Sequence, residues 1–307
     1  MSLEMPFLTA VQVQQHWAHS NNVNLLASGA NNPQVGSTGS GIYAGNKGAL
    51  VEVMNGNDET KLYTATVPKI NFPGNENIVI RHDIVRYTKE EMKRLFLKRD
   101  QLDRYEIRYL EDSDGEHSVG GNFCQNGVCC DYNLNYSIAN SASRPHYQYA
   151  MAFYHGNRTF DGFADGGVVA CSIITCPTSN ISTCGTRDEE LSNIHVWNHI
   201  EIKGSFPRAR KFFYLPSTLD TSILPLQPNQ FEYQTADIGS NQVDIAMSLH
   251  GNAENLLTFG IYGRDFNLDD DEEEIIEDTD GGVGAIKSIP IHLISILIVG
   301  LFIRKFL

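Results

Sequence analysis

The sequence predicts an α/β segment followed by an antiparallel β-rich domain. Three observations carry that expectation. Residues 10–28 run from an amphipathic helical pattern straight into an apolar strand, the succession typical of α/β folds. From Tyr105 onward, apolar and polar residues alternate in short runs separated by turn signals, as in antiparallel sandwiches. All six cysteines fall in that second part, between Cys124 and Cys184.

The elements follow in order. Ala10 to Ser20 reads as a helix with Ala10, Val13 and Trp17 on one face at spacings of three and four, closed by Asn21-Asn22. His16 and His19 have no carboxylate or cysteine near them at ligand spacing and are expected to be solvated. Val23 to Ser28 is a buried strand. Gly36 to Gly45 is rich in glycine but has no Gly-Lys-Ser/Thr ending, so it reads as a tight turn into a strand at Gly41–Ala44 rather than a phosphate cradle. Asn55 to Glu59 is a polar turn, and Leu62 to Val67 a short strand. Residues 67–104 form a connector: Pro73-Gly74 breaks the chain, then Thr88 caps a helix expected to run to Arg104 with Met92, Leu95, Phe96 and Leu102 on one face. Its basic face (Lys93, Arg94, Lys98, Arg99) is expected to be solvated.

In residues 105–264 the alternation places strands around Tyr105–Tyr109, Tyr132–Ile138 and Tyr147–Phe153. Asn126-Gly127 is a strong hairpin signal between Cys124 and Cys129. Further strands are expected at Gly167–Thr175, Ile194–Ile202, Lys211–Leu215, Val243–Leu249 and Leu256–Tyr262. The tyrosine stripes fit half-buried sheet positions and need no sugar-binding role.

The six cysteines, Cys124, Cys129, Cys130, Cys171, Cys176 and Cys184, share their block with three Asn-x-Ser/Thr triplets at Asn135, Asn157 and Asn180. An even, clustered set among glycosylation acceptors reads as a disulfide framework formed in an oxidising compartment. Fifteen pairings remain open. No Cys-x-x-Cys pair occurs, so neither a zinc site nor any other cofactor is implied. The formal net charge of −14 argues against nucleic acid as a partner. Much of that charge lies in an acidic spacer, 265–287, expected to be solvated and extended. Residues 288–307 form an apolar run ending in Arg304-Lys305. The run is short for a spanning helix and fits the removable tail of a glycolipid-anchor signal, with Gly281 of Asp280-Gly281-Gly282 as the attachment position. A single-pass anchor is the alternative. The amino end shows neither a basic leader nor an apolar core, so the chain is expected to lack its natural front portion.

Four blocks resemble the vanin/biotinidase branch of the nitrilase superfamily. They are Asn22-Val-Asn-Leu-Leu-Ala-Ser-Gly29, Thr38-Gly-Ser-Gly-Ile-Tyr-Ala44, Phe123-Cys-Gln-Asn-Gly-Val-Cys-Cys130, and Cys176 through Asn180-Ile-Ser-Thr-Cys184-Gly185. The resemblance spans roughly residues 7–265. It implies that 1–66 is the carboxy-terminal part of a nitrilase-like carbon–nitrogen hydrolase domain and 105–264 a disulfide-bonded β-rich domain. It also implies amidohydrolysis of a small-molecule amide, pantetheine or biocytin, at the extracellular face of the plasma membrane. In such enzymes a cysteine thiolate attacks the amide carbon, a lysine steadies the oxyanion and a glutamate shuttles protons. The family places these three residues upstream of the segment matching Pro6–Thr9, so no residue of this chain inherits a catalytic role. The loop Gly29-Ala-Asn-Asn-Pro33 could at most line the cleft. The expected functions are therefore a truncated amidohydrolase, inactive alone, or a non-catalytic, membrane-anchored extracellular glycoprotein.

Overall fold

The computed structural model describes residues 4–69, 83–85, 87–160, 164–208, 211–239 and 241–269. After a two-residue strand, β1 (Glu4–Met5), Thr9 opens helix α1 (Ala10–Asn21) through a reciprocal capping box. Its hydroxyl accepts from the Gln12 amide, and Gln12 Oε1 accepts from the Thr9 amide at 2.8 Å. Asn22, in the left-handed region (φ 45°), stops the helix. The chain continues into an antiparallel meander of β2 (Asn24–Ala27), β3 (Ser40–Ala44) and β4 (Ala49–Val53), to which β5 (Asp83–Val85) adds in parallel. A single helical turn, α2 (Lys89–Met92), precedes β6 (Lys98–Arg99), which pairs in parallel with β1.

The remaining strands are β7 (Glu106–Tyr109), β8 (Gly115–Gln125), β9 (Val128–Ile138), β10 (Gln148–Phe160), β11 (Ala164–Cys176), β12 (His195–Pro207), β13 (Phe212–Asp220), β14 (Phe231–Gly239), β15 (Gln242–Leu249) and β16 (Leu256–Asp265). They form two five-stranded antiparallel sheets, β13-β16-β11-β10-β7 and β14-β15-β12-β9-β8. The alternation read from the sequence is the physical basis of this arrangement. Along β9, Cys130, Tyr132, Leu134, Tyr136 and Ile138 are buried while Cys129, Asp131 and Asn133 are exposed, as a period of two requires. The tyrosine stripes are core: Tyr136, Tyr147 and Tyr149 are almost fully buried among Met151, Phe153, Trp197 and Ile200. Asn126 and Gly127, both at positive φ (51° and 78°), make the β8–β9 turn.

Strand β10 is buried on both faces. Met151 and Phe153 join the core between the sheets, whereas Ala150, Ala152 and Tyr154 pack with Phe7, Leu102 and Tyr105. Helix α1 in turn touches β3 on one side and β13 on the other. That position corrects the expected helix faces. The buried side chains are not an apolar stripe of Val13 and Trp17, which are half-buried, but Gln12, Gln14, Gln15 and His16 beside Ala10, Val11 and Ala18. His16, expected to be solvated, is fully buried and meets Thr218 Oγ1 at 3.0 Å; His19 is half-buried. A helix enclosed by two sheets meets backbone carbonyls and hydroxyls on both sides, and long amides satisfy them. Gln12 Nε2 donates to Pro6 O (3.0 Å), Gln15 Nε2 to Leu226 O (2.5 Å) and Gln14 Nε2 to Gly39 O (3.2 Å).

Three other expectations change. The helix expected over Thr88–Arg104 is one turn long, because Lys98–Arg99 must extend to pair with β1 and Asp100 N donates to Met5 O at 2.8 Å. Met92, Leu95 and Leu102 are buried, but Phe96 is half exposed. The expected basic face is engaged with protein rather than solvent alone. Arg99 donates to Ile181 O (2.8 Å) and Cys184 O (2.7 Å), Arg94 donates to Asn57 Oδ1 (2.9 Å), and Lys93 lies 3.4 Å from Glu90. Leu62–Val67 forms no ladder among the described residues, and Leu62 is 88% exposed; the strand beside β4 is β5 instead. Pro73-Gly74, most of the acidic spacer, the apolar carboxyl run and Gly281 lie outside the described residues. Among those described, no helix is long and apolar enough to cross a membrane.

Candidate functional site

The cysteines form three disulfides, Cys124–Cys129, Cys130–Cys171 and Cys176–Cys184. Each has a distinct structural task. Cys124 and Cys129 face each other across the β8–β9 hairpin. Cys130 on β9 and Cys171 on β11 join the two sheets through the core, both fully buried. Cys176 and Cys184 close the loop after β11, on which Arg99 also docks. No free cysteine remains, so the chain holds no thiolate that could attack a carbonyl.

The three sequon asparagines differ in setting. Asn157 and Asn180 are exposed, and Asn180 Oδ1 accepts from Ser182 N at 3.0 Å in a short turn. Asn135 is half-buried in β9, a strand paired on both sides.

The loop Gly29–Pro33 is held by a polar cluster. Asn31 Nδ2 donates to the carbonyls of Asn57 (2.7 Å) and Glu59 (2.9 Å), and Thr38 Oγ1 donates to Asn31 Oδ1 (3.0 Å). Asn55 Nδ2 donates to Glu59 Oε1 at 2.7 Å. Carboxylate and amides of this kind can position a substrate, but they hold no nucleophile. Among the described residues no group of three or more His, Cys, Asp or Glu is placed to hold a metal ion.

Several titratable groups elsewhere are buried. Glu52, a lone charge in the apolar run of β4, is fully buried and receives Gln227 Nε2 at 3.4 Å. Burial, with Glu52 adding to it, raises the pKa of the Tyr43 hydroxyl well above the usual phenol range. His195 is nearly fully buried against Tyr136, Tyr149 and Trp197, with ring centroids at 5.6, 4.6 and 5.9 Å. Burial first, then His146 and His117, lower its pKa to about 3. Asp112 is 3.1 Å from His146 and 3.9 Å from His195. Burial first, then His19, lowers His16 to about 3 as well.

These two imidazoles make stability pH-dependent. Their folded pKa values lie below the ordinary value of about 6.5, so the unfolded chain binds more protons in between. The contribution is complete above pH 6.5 and is lost as pH falls toward 3. Lowering the pH from 7 to 5 is expected to cost about 2 kcal/mol for each imidazole. Urea unfolding across that interval checks this: His16→Gln and His195→Gln should each flatten the slope, and an unchanged slope would contradict it.

Sequence reasoning missed Glu52 and the buried histidines. The glutamate inside Ala49-Leu-Val-Glu-Val53 was a visible signal, since a charge must find partners if its strand is buried. His16 and His195 carried none.

Comparison with known proteins shows which sequences this chain is similar to. Residues 95–269 match the Vanin C-terminal domain. Vanin-like protein 1 of Drosophila melanogaster is 33% identical over 276 residues, covering 85% of this chain and 50% of that protein. Pantetheinase of Mus musculus is 27% identical, covering 86% and 47%. Biotinidase of Takifugu rubripes is 28% identical, covering 87% and 52%. The chain therefore spans about half the length of these curated relatives.

Proposed function

The chain belongs to the vanin family, and on that premise we propose that it is the carboxy-terminal portion of an amidohydrolase of the pantetheinase/biotinidase type. Such an enzyme cleaves a linear carbon–nitrogen amide bond. In this reading the 307 residues supply the β-rich domain and the last layers of the catalytic domain, and they are inactive on their own. The observation that carries it is the closure of all six cysteines into disulfides. A nitrilase-type reaction needs a thiolate, and none is left. The expected result is no turnover of pantetheine or biocytin by the purified chain; release of cysteamine or lysine from either would overturn it.

A second reading, a non-catalytic glycoprotein anchored at the extracellular face of the membrane, draws on the exposed sequons at Asn157 and Asn180 and on the same lack of a thiol. Sequencing the 5′ end of the message separates the two. Upstream codons for a signal peptide and for the glutamate, lysine and cysteine favour the hydrolase; a transcript start at Met1 favours the glycoprotein. In both readings Gly281 is the lipid-attachment position. Release of cell-surface protein by a phosphatidylinositol-specific phospholipase is the expected result, and retention would favour a single-pass anchor.

A further inference from the structure

The three disulfides differ in how far they are open to solvent. Cys130, Cys171, Cys176 and Cys184 are at most 1% exposed, whereas Cys124 and Cys129 are both exposed. Their exposure follows from the pleat. Phe123, Val128 and Cys130 take the inward positions at this end of β8 and β9, so Cys124 and Cys129, next to them in sequence, face outward. The next outward pair along the ladder, Asn122 and Asp131, is exposed as well. A small molecule can therefore approach the bond from the open face of the sheet.

The hairpin does not depend on this bond for its shape. Backbone pairing runs unbroken from Gly115 opposite Ile138 to Gln125 opposite Val128, and β12 pairs with β9 on its other side. Asn126 and Gly127 supply the turn. The tip is also tied to β10: His155 N donates to Gln125 Oε1 at 2.8 Å, and Asn126 Nδ2 donates to His155 O at 2.7 Å. The bond closes a separation of only 5, so the chain entropy it removes is small. Exposed disulfides are the labile and regulatory ones, whereas burial shields a bond from an attacking thiolate.

We propose that Cys124–Cys129 is a reversible modification site for small aliphatic thiols, which opens while the protein stays folded and the other two disulfides stay closed. A thiolate RS⁻ attacks Sγ of either cysteine; the S–S bond breaks, a mixed disulfide RS–S–Cys forms, and the other cysteine leaves as a thiolate. The ladder holds that thiolate opposite the mixed disulfide. It either expels RS⁻ and restores the bond, or a second RS⁻ attacks the mixed disulfide, releasing RS–SR and leaving two cysteine thiolates that take protons from solvent. Exchange stops at the hairpin. Cys129 and Cys130 are adjacent but lie on opposite faces, so a freed Cys129 does not reach the Cys130–Cys171 bond in the core. The site stands whether or not the chain is part of a hydrolase, and it presents thiols only after reduction.

The test is incubation of the native full chain with 2-mercaptoethanol at about pH 8, where a thiol is partly ionised. Samples are quenched with N-ethylmaleimide and mapped by peptide mass spectrometry. Maleimide or mercaptoethanol adducts are expected at Cys124 and Cys129, with Cys130–Cys171 and Cys176–Cys184 intact and the circular dichroism spectrum unchanged. In an unquenched sample, hydroxyethyl disulfide, the oxidised reagent, should close the pair again. The double variant Cys124→Ser with Cys129→Ser should take up no label in the same interval; should it not fold, the native chain decides alone. Absence of adducts at Cys124 and Cys129, adducts at the other cysteines at the same rate, a Cys129–Cys171 crosslink, loss of the folded spectrum, failure to reclose, or label in the folded double variant would each overturn the proposal.

Discussion

Replacing Cys130 and Cys171 together by alanine is expected to lower the unfolding free energy by about 4 kcal/mol or more. The bond closes a sequence separation of 41, for which the chain-entropy relation gives about 4 kcal/mol. Both sulfurs also fill the core between the sheets, so truncating them leaves a void and adds to the loss. The hairpin pair is the internal control. Cys124–Cys129 closes a separation of only 5, worth about 2 kcal/mol on the same relation, and both positions lie on strands already held in register by the ladder. Denaturant unfolding of the two double variants checks the order. Equal losses, or a larger loss for the hairpin pair, would show that the cross-sheet bond is not the main staple.

Arg158→Met is expected to destabilise the protein by about 3–5 kcal/mol, because it breaks a buried ion pair by removing one partner. Arg158 Nη1 lies 2.8 Å from Asp100 Oδ1, and both side chains are buried. Tyr105 donates to the other oxygen of Asp100 at 3.1 Å, and the Arg158 guanidinium sits 3.8 Å from the centre of the Phe160 ring. Removing the cation takes the charged donor at 2.8 Å away from a buried carboxylate. Replacing both partners, Asp100→Leu with Arg158→Met, should restore much of the loss, since a buried ion pair is often matched by apolar packing of similar volume. The same pair joins the connector to β10, so Arg158→Met should also loosen the Lys98–Leu102 segment, read as faster amide exchange at Asp100 and Leu102 than in the double variant. A double variant no more stable than Arg158→Met would refute this account.

The part of the molecule that the sequence made plain is the part governed by local periodicity. Alternation along Tyr132–Ile138 and Tyr147–Phe153, and the Asn126-Gly127 turn, located strands without any tertiary information, and in the first of them the inward face too, because a half-buried strand must repeat every second residue. Clustering of the cysteines beside sequons marked them as disulfides. Which cysteine joins which was not written in the spacing: Cys129 and Cys130 are adjacent, yet one faces its hairpin partner and the other crosses the sandwich, since neighbouring residues on a strand point to opposite faces.

What the fold alone decided concerns surfaces that several elements share. His16 of α1 was expected to be solvated, and contacts with β3 and β13 bury it. The basic residues after Thr88 looked like a solvated helix until β1 drew Lys98–Arg99 into a ladder and the Cys176–Cys184 loop offered carbonyls to Arg99. A cavity lined by His19, Arg208, Phe213 and Tyr233 combines α1 with strands from the far part of the chain, and no local pattern encodes such a meeting. Periodicity fixes what each segment shows to its own neighbours; packing determines which distant segment comes to lie against it, and there the buried charges, the pairing of the sulfurs and the cavity are settled.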